Sequence, residues 1–265
     1  MTENMNRIDK KFQELKLKNK KAFIAFITAG DPNLKTTQEL VLAFEKSGAD
    51  IVELGVPFSD PLADGPTIQA ASQRSLANGT TLQKIFTLVK DIRKKSSIPI
   101  ALMMYYNPIF HYGEKKFIDT AKACGVDGVI VPDLPPEEAS QLMALARAQD
   151  ISTVFFLSPT TTKERMKRVI SASSGFIYYV SLTGVTGARR EIPASFVRQV
   201  KQAKAMTNKS ICVGFGISTP EQVKAISKIS DGVIVGSAIV SEIFKNKGNK
   251  NLVKNVSRFV KKLTV

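Results

Sequence analysis

The chain has no tryptophan, one histidine and two cysteines among its 265 residues. The lone histidine, His111, has no second histidine and no clustered cysteines to join it, which speaks against a metal site. Nor can a Ser-His-Asp arrangement be assembled around it. It reads as a member of a surface loop, "NPIFHYG". Cys124 and Cys212 each lie in or near an apolar stretch, which points to buried free thiols in a reducing compartment. No apolar run reaches the roughly 18 residues of a membrane span. The opening stretch, residues 1–21, is charged throughout and lacks the apolar centre of a secretory signal. A cytoplasmic protein without a metal is the expectation.

Acidic residues are the minority: 23 Asp and Glu against 38 Lys and Arg give a formal net charge of +15. The excess is dispersed, with small clusters at Lys16, Lys18, Lys20 and Lys21 and again at Lys245, Lys247 and Lys250. No aromatic residues interleave with the basic ones, so a nucleic-acid stripe is not drawn. Solvated helix faces account for the pattern, with a residual attraction for anionic substrates.

Short apolar runs recur instead. They are "AFIAFIT" (22–28), "DIVEL" (50–54), "IPIALM" (98–103), "GVIVP" (128–132), "ISTVFFL" (151–157), "GFIYYV" (175–180), "ICVGFG" (211–216) and "DGVIVG" (231–236). They are nearly continuous, not alternating, which marks parallel strands covered on both faces. Helical periodicity fills the gaps, most clearly at Leu82, Ile85, Phe86 and Val89. Further helices are expected near 114–124, 136–148, 162–173, 193–205 and 219–229. Pro136 followed by Glu137 and Glu138, and Thr219 before Pro220 and Glu221, supply start signals.

Eight strands alternating with helices predict a (β/α)8 TIM barrel; a doubly wound open sheet is the alternative. Two additions are expected. An extra N-terminal helix over 5–18 presents Ile8, Phe12 and Leu15 on one face, suited to cover the N-terminal end of the barrel. An extra helix after the second strand fits residues 67–78. Nothing marks a boundary, so 1–265 is read as a single barrel domain.

Active sites of such barrels lie at the C-terminal strand ends. There Glu53 interrupts an apolar strand, between Val52 and Leu54. Burial would raise its pKa, which suits a general acid or base. A structural acid paired to a buried cation is the other reading, but no strand carries an internal Arg or Lys. The following loop, "GVPFSDPLADGP", adds Asp60 and Asp64, which can be turn formers or partners in acid–base work. The loop "SLTGVTGARREIP" after the sixth strand is long enough to close over a substrate. Glycine-bearing ends at "GFGIS" and "GSAIV", the latter opening a short helix at Ser237, form a candidate phosphate cradle. The residues thus describe a metal-independent acid–base enzyme acting on a phosphorylated small molecule.

The segments "FITAGDPN", "VELGVPFSDPLADGPTIQAAS", "MMYYNPIF", "VPDLPPEE", "YYVSLTGVTGAR", "VGFGIS" and "DGVIVGSAIV" resemble the tryptophan synthase alpha chain family, in order, from about 22 to 242. The resemblance implies retro-aldol cleavage of indole-3-glycerol phosphate to indole and glyceraldehyde 3-phosphate. It casts Glu53 and Asp64 as catalytic. It places Phe26, Leu102, Met103 and Tyr178 around the indole, and Thr186 and Gly187 on the closing loop. Phe215, Gly216, Gly236 and Ser237 fall at the phosphate, and Pro57, Asp60, Asn107 and Phe110 fall toward a beta subunit. It implies an αββα assembly with pyridoxal phosphate in the beta subunit and no cofactor in this chain. A stand-alone lyase releasing free indole, another phosphate-binding barrel isomerase or epimerase, an inactive activator and a basic RNA-binding module are the competing readings.

Overall fold

The computed structural model describes residues 5–180, 192–214 and 216–264. Nine parallel strands form one sheet: β1 (Ala22–Thr28), β2 (Ile51–Gly55), β3 (Ile100–Met103), β4 (Gly128–Ile130), β5 (Ser152–Val154), β6 (Phe156–Leu157), β7 (Phe176–Val180), β8 (Ser210–Gly214) and β9 (Gly232–Val235). Their order is β5-β4-β3-β2-β1-β9-β8-β7-β6. The two ends of that order, β5 and β6, belong to one run interrupted only at Phe155. The sheet therefore curls until its ends are nearly consecutive in the chain. The N–H groups of Ser174 and Tyr178 donate to the carbonyls of Thr153 and Phe155 at 2.8 and 3.0 Å, joining this run to the β7 side. The result is an eight-position TIM barrel, as the strand spacing predicts.

Side chains alternate between the two faces of each strand. Ile24, Ile51, Ala101, Ile130, Val154, Phe176, Cys212 and Ile234 fill the barrel interior. Their neighbours Ala25, Val52, Leu102, Val129, Phe155, Ile177, Val213 and Val233 face outward into the layer beneath the helices. Both faces are buried, which is why the strands read as continuous apolar runs.

The helices match the expected segments to within a few residues, with three differences. The helix expected from Pro136 begins at Ser140, because residues 136–138 form a turn first. The loop expected around His111 is a short helix, Tyr106–Tyr112. A C-terminal helix, Leu252–Leu263, buries Leu252, Val256, Val260 and Leu263 along one face, a stripe beyond the eight expected βα units. Thr219 forms a full capping box with Gln222, with Pro220 in the first turn. No helix among the described residues is long and apolar enough to cross a membrane.

The helix Arg7–Leu17 closes the N-terminal end of the barrel. Ile8, Phe12 and Leu15 are buried with the interior residues, and Phe12 meets the Phe176 ring at 5.9 Å between centroids. Burying such side chains is worth roughly 2 kcal/mol each. Polar bonds fix the entry. Asn6 accepts the N–H of Ile8 and donates to the carbonyls of Asp127 and Asp150 at 2.7 and 2.8 Å. The buried Asp127 carboxylate takes Arg7 and Arg93, each at 2.7 Å, and the N–H of Ile100 at 2.8 Å. Asp127 thus ties the plug helix to β3 and to the helix Leu82–Arg93.

Removing this hub leaves the largely buried Arg93 guanidinium without its counter-charge. Asp127→Ala is expected to lower unfolding free energy by about 3 kcal/mol. Arg7→Ala, whose side chain is 43% exposed, is expected to cost less than about 1 kcal/mol. Urea denaturation of the two variants measures the difference; equal losses would contradict the hub.

Candidate active site

The C-terminal strand ends surround a cavity of about 660 Å³. Strand parity decides which side chains face the barrel interior beneath it. Val52 and Leu54 point outward, so Glu53 points inward, level with Phe26 on β1 and Ala101 on β3. Glu53 is fully buried, and neither carboxylate oxygen has a hydrogen-bond partner among the described residues. Burial without compensation pushes its pKa up from 4.5 to about 8. At neutral pH it therefore holds a proton that it can give up.

Tyr178 on β7 shares this interior, and burial, followed by the nearness of Glu53, keeps its hydroxyl protonated. Space for it is provided by Gly214 on the adjacent strand: a Cβ there would lie 2.5 Å from the Tyr178 hydroxyl oxygen. Phe26 is accommodated in the same way, because a Cβ at Gly55 would lie 2.6 Å from the tip of its ring. Both rings line the cavity with Met103, Ile68 and Phe156.

Asp64 enters from the loop after β2 and also lines the cavity. Its pKa is raised to about 6, chiefly by burial and against a hydrogen bond from the Tyr105 hydroxyl that lowers it. The same Tyr105 oxygen accepts the N–H of Ala63 at 2.8 Å, and its ring stacks on Phe58 at 5.3 Å. Gln69 donates to the Asp64 carbonyl at 2.8 Å from the helix Pro66–Ala77. That helix is held to the β1 end by a two-pronged Arg74–Asp31 pair at 2.9 and 2.6 Å and by Ser75 donating to Ala29 at 2.6 Å. The carboxylate thus sits on a loop fixed from both sides.

Across the cavity lie Gly216, Gly236 and Ser237. Gly236 precedes the helix Ser237–Lys245, whose positive N-terminal end therefore opens on the cavity. Gly216 has φ +75°, a backbone conformation suited to glycine. Free N–H groups at a helix start, next to a bare glycine backbone, are suited to a phosphate. The cavity thus offers a carboxylate with pKa about 6, an apolar wall and an anion cradle, and Glu53, with pKa about 8, lies buried behind Phe26 and Tyr178, which line it, rather than on its surface.

Two sequence expectations differ from the structure. Leu102 does not line the cavity; it faces outward in the layer beneath the helices, because it and Met103 are adjacent on one strand and cannot share a face. Pro57 is buried, not turned outward, since the chain is still running along the barrel: the N–H of Val56 bonds the carbonyl of Met103 at 2.9 Å. Asp60, Asn107 and Phe110 are exposed, Phe110 at 71%. Thr186, Gly187 and Phe215, with nearly all of the loop at 181–193, lie outside the described residues. Tyr105 and Ile68 belong to the site from within segments that the sequence singles out for other residues, and Phe156 and Arg165 belong to it without a motif to announce them. Arg165 sits three residues past a Thr162 cap, a spacing visible in the sequence, but nothing there says that this helix start borders the cavity.

Comparison with known proteins agrees with this geometry. Residues 12–265 match the family model described as tryptophan synthase alpha chain. A tryptophan synthase alpha chain from Geotalea daltonii is 50% identical over 259 residues, covering 98% of each chain. One from Caldanaerobacter subterraneus subsp. tengcongensis is 49% identical, covering 97% of each. A crystal structure of tryptophan synthase subunit alpha from Legionella pneumophila superimposes with a TM-score of 0.92 at 38% identity, covering 98% of both chains. A structure concerned with mutual activation of the tryptophan synthase a2b2 complex from Pyrococcus furiosus has a TM-score of 0.85 at 41% identity, covering 91% of this chain and 97% of that one. A parallel barrel with a plugged base and a buried glutamate that has no partner among the described residues, matched over nearly its whole length by these relatives, leaves one assignment: the chain belongs to the tryptophan synthase alpha chain family.

Proposed function

We propose that Glu53 and Asp64 carry out the lyase half-reaction of this family, the cleavage of indole-3-glycerol phosphate to indole and D-glyceraldehyde 3-phosphate. The bond to be broken joins indole C3 to the carbinol carbon. Protonated Glu53 gives its proton to C3, while the Asp64 carboxylate accepts a hydrogen bond from N1–H and draws off the positive charge that develops on the ring. The carboxylate left at Glu53 then takes the carbinol hydroxyl proton. The carbinol oxygen forms the aldehyde, the C–C bond breaks, and its electron pair restores the aromatic indole. Glu53 ends as it began, protonated. The observation that carries this reading is the unpaired, proton-bearing Glu53 beneath a cavity that ends in an anion cradle. Phe26, Met103 and Tyr178 would hold the indole, and Gly216, Gly236 and Ser237 the phosphate.

The chain acts, in this reading, as a single cytoplasmic domain that hands indole to a beta subunit carrying pyridoxal phosphate, in an αββα assembly, for condensation with serine. Support comes from exposed Asp60, Leu62, Asn107 and Phe110 on segments that follow β2 and β3 at the cavity end of the barrel; Leu62 is 93% exposed. It comes also from the related chain in the Pyrococcus furiosus a2b2 complex. The loops at 56–66 and 181–193 would carry the communication between the two sites.

An indole-release assay on indole-3-glycerol phosphate tests the assignment. Glu53→Gln and Asp64→Asn are expected to lose roughly 10²- to 10⁴-fold in turnover while still binding the phosphate; wild-type turnover in Glu53→Gln would sink it. The raised pKa of Glu53 also predicts a stability effect. The unfolded chain releases this proton near pH 4.5, whereas the folded chain keeps it to about pH 8, so folding is penalised progressively as pH rises between the two. Glu53→Gln should therefore be more stable than wild type at pH 8, by on the order of 4 kcal/mol, and the gap should close toward pH 4.5. Chemical denaturation at several pH values reads it. Tyr105→Phe removes the hydrogen bond that lowers the Asp64 pKa. The Asp64 pKa should then rise above about 6, measured by carboxyl carbon NMR; an unchanged value would show that this bond does not hold the carboxylate.

A further inference from the structure

The cavity has a charge imbalance that the acid–base pair does not explain. Its anion cradle consists of backbone N–H groups and a helix terminus at Gly216, Gly236 and Ser237, with no cationic side chain among them to match a phosphate dianion. A helix terminus contributes only about half a charge. Asp64 on the opposite wall adds repulsion above its pKa. Among the described residues that line the cavity, one is cationic: Arg165.

Its placement is fixed locally. The Thr162 side chain accepts the Arg165 N–H at 3.3 Å and caps the helix Lys163–Ala172, while Thr161 accepts the N–H of Ser158 at 2.9 Å. This turn holds the helix start against the end of β6. The Arg165 guanidinium meets Glu137 at 3.0 Å, and Arg168, one helical turn on, meets the same carboxylate at 3.8 Å. Two arginines therefore share one glutamate. The group keeps a net positive charge, and Arg168 can retain Glu137 when Arg165 leaves it.

We propose that Arg165 is a substrate-binding residue that selects for the phosphorylated substrate, exchanging Glu137 for the substrate's anionic end while Glu137 passes to Arg168. The inference rests on the reading of the cavity as an indole-3-glycerol phosphate site. A cation in the mouth of a low-dielectric cleft raises the local concentration of an oppositely charged substrate, and salt weakens the effect. Its action falls on capture of the substrate, not on the proton transfers of Glu53 and Asp64, which lie on the other side of the barrel.

Steady-state kinetics of the full-length chain test it, with Arg165→Ala, Arg165→Lys and Glu137→Gln. The capping bond uses the Arg165 backbone and survives each substitution; circular dichroism and melting temperature check folding. Arg165→Ala is expected to raise KM for indole-3-glycerol phosphate roughly five- to tenfold, to leave kcat within about twofold, and to flatten the salt dependence of kcat/KM. Arg165→Lys should restore most of the loss, and Glu137→Gln should lower KM. Cleavage of unphosphorylated indoleglycerol should be indifferent to all three. Unchanged KM in Arg165→Ala, or an equal loss with indoleglycerol, would overturn the proposal. If the wild-type chain cleaves neither compound, the reading of the reaction fails instead. The affinity for D-glycerol 3-phosphate by calorimetry then still decides whether Arg165 binds the anion: a loss in Arg165→Ala supports it and equal affinity overturns it.

Discussion

The cavity end of the barrel is organised around one buried carboxyl group, Glu53, that has no hydrogen-bond partner among the described residues. A closed parallel barrel gives each strand residue one of two destinations, the sealed interior or the layer beneath the helices. Glu53 occupies an interior position that Ile51, two residues earlier, fills with hydrocarbon. The protein neither pairs it nor bonds it among the described residues, and so keeps it protonated near neutral pH. The barrel interior is shaped around it: Gly55, on the same strand, and Gly214, on β8, give up their side chains so that Phe26 and Tyr178 fit into that interior. The site is a local loss of stability within a large apolar core, which absorbs it.

The second acid is held by a different principle. Glu53 is immobilised by a strand whose whole register would have to slip to move it. Asp64 lies on a loop, and its position comes from Tyr105 on one side and from the helix Pro66–Ala77 on the other. That helix is in turn clamped to the end of β1 through Arg74 and Asp31. The extra helix after β2, which no barrel topology requires, thus has a mechanical role as the far anchor of the loop.

Much of this is legible in the sequence because it is periodic or punctuated. Eight apolar runs, the Thr219 capping signal and the stripe of Ile8, Phe12 and Leu15 each encode a local preference that the fold respects. Glu53 stands out because a charge inside an apolar strand breaks a pattern. The losses have equally physical causes. Leu102 and Met103 look alike as letters, and only the register against β2 says which one faces in. Pro57 looks like the start of a loop, yet the ladder continues past Gly55 through Val56. Tyr105 and Arg165 act through contacts with segments far away in sequence, and no local pattern announces those. The C-terminal helix is a visible stripe, with Leu252, Val256 and Val260 four residues apart, but a count of eight βα units leaves no place for it.

The plug at the base has a consequence for traffic. With Ile8, Phe12 and Leu15 packed into the bottom of the barrel and Asp127 bolting their helix in place, the interior is a blind vessel. A reactant and both halves of what it becomes must pass the same rim. Whatever covers that rim then sets the sequence of departures, and a lid there is at once a shield against water and a valve on the exit.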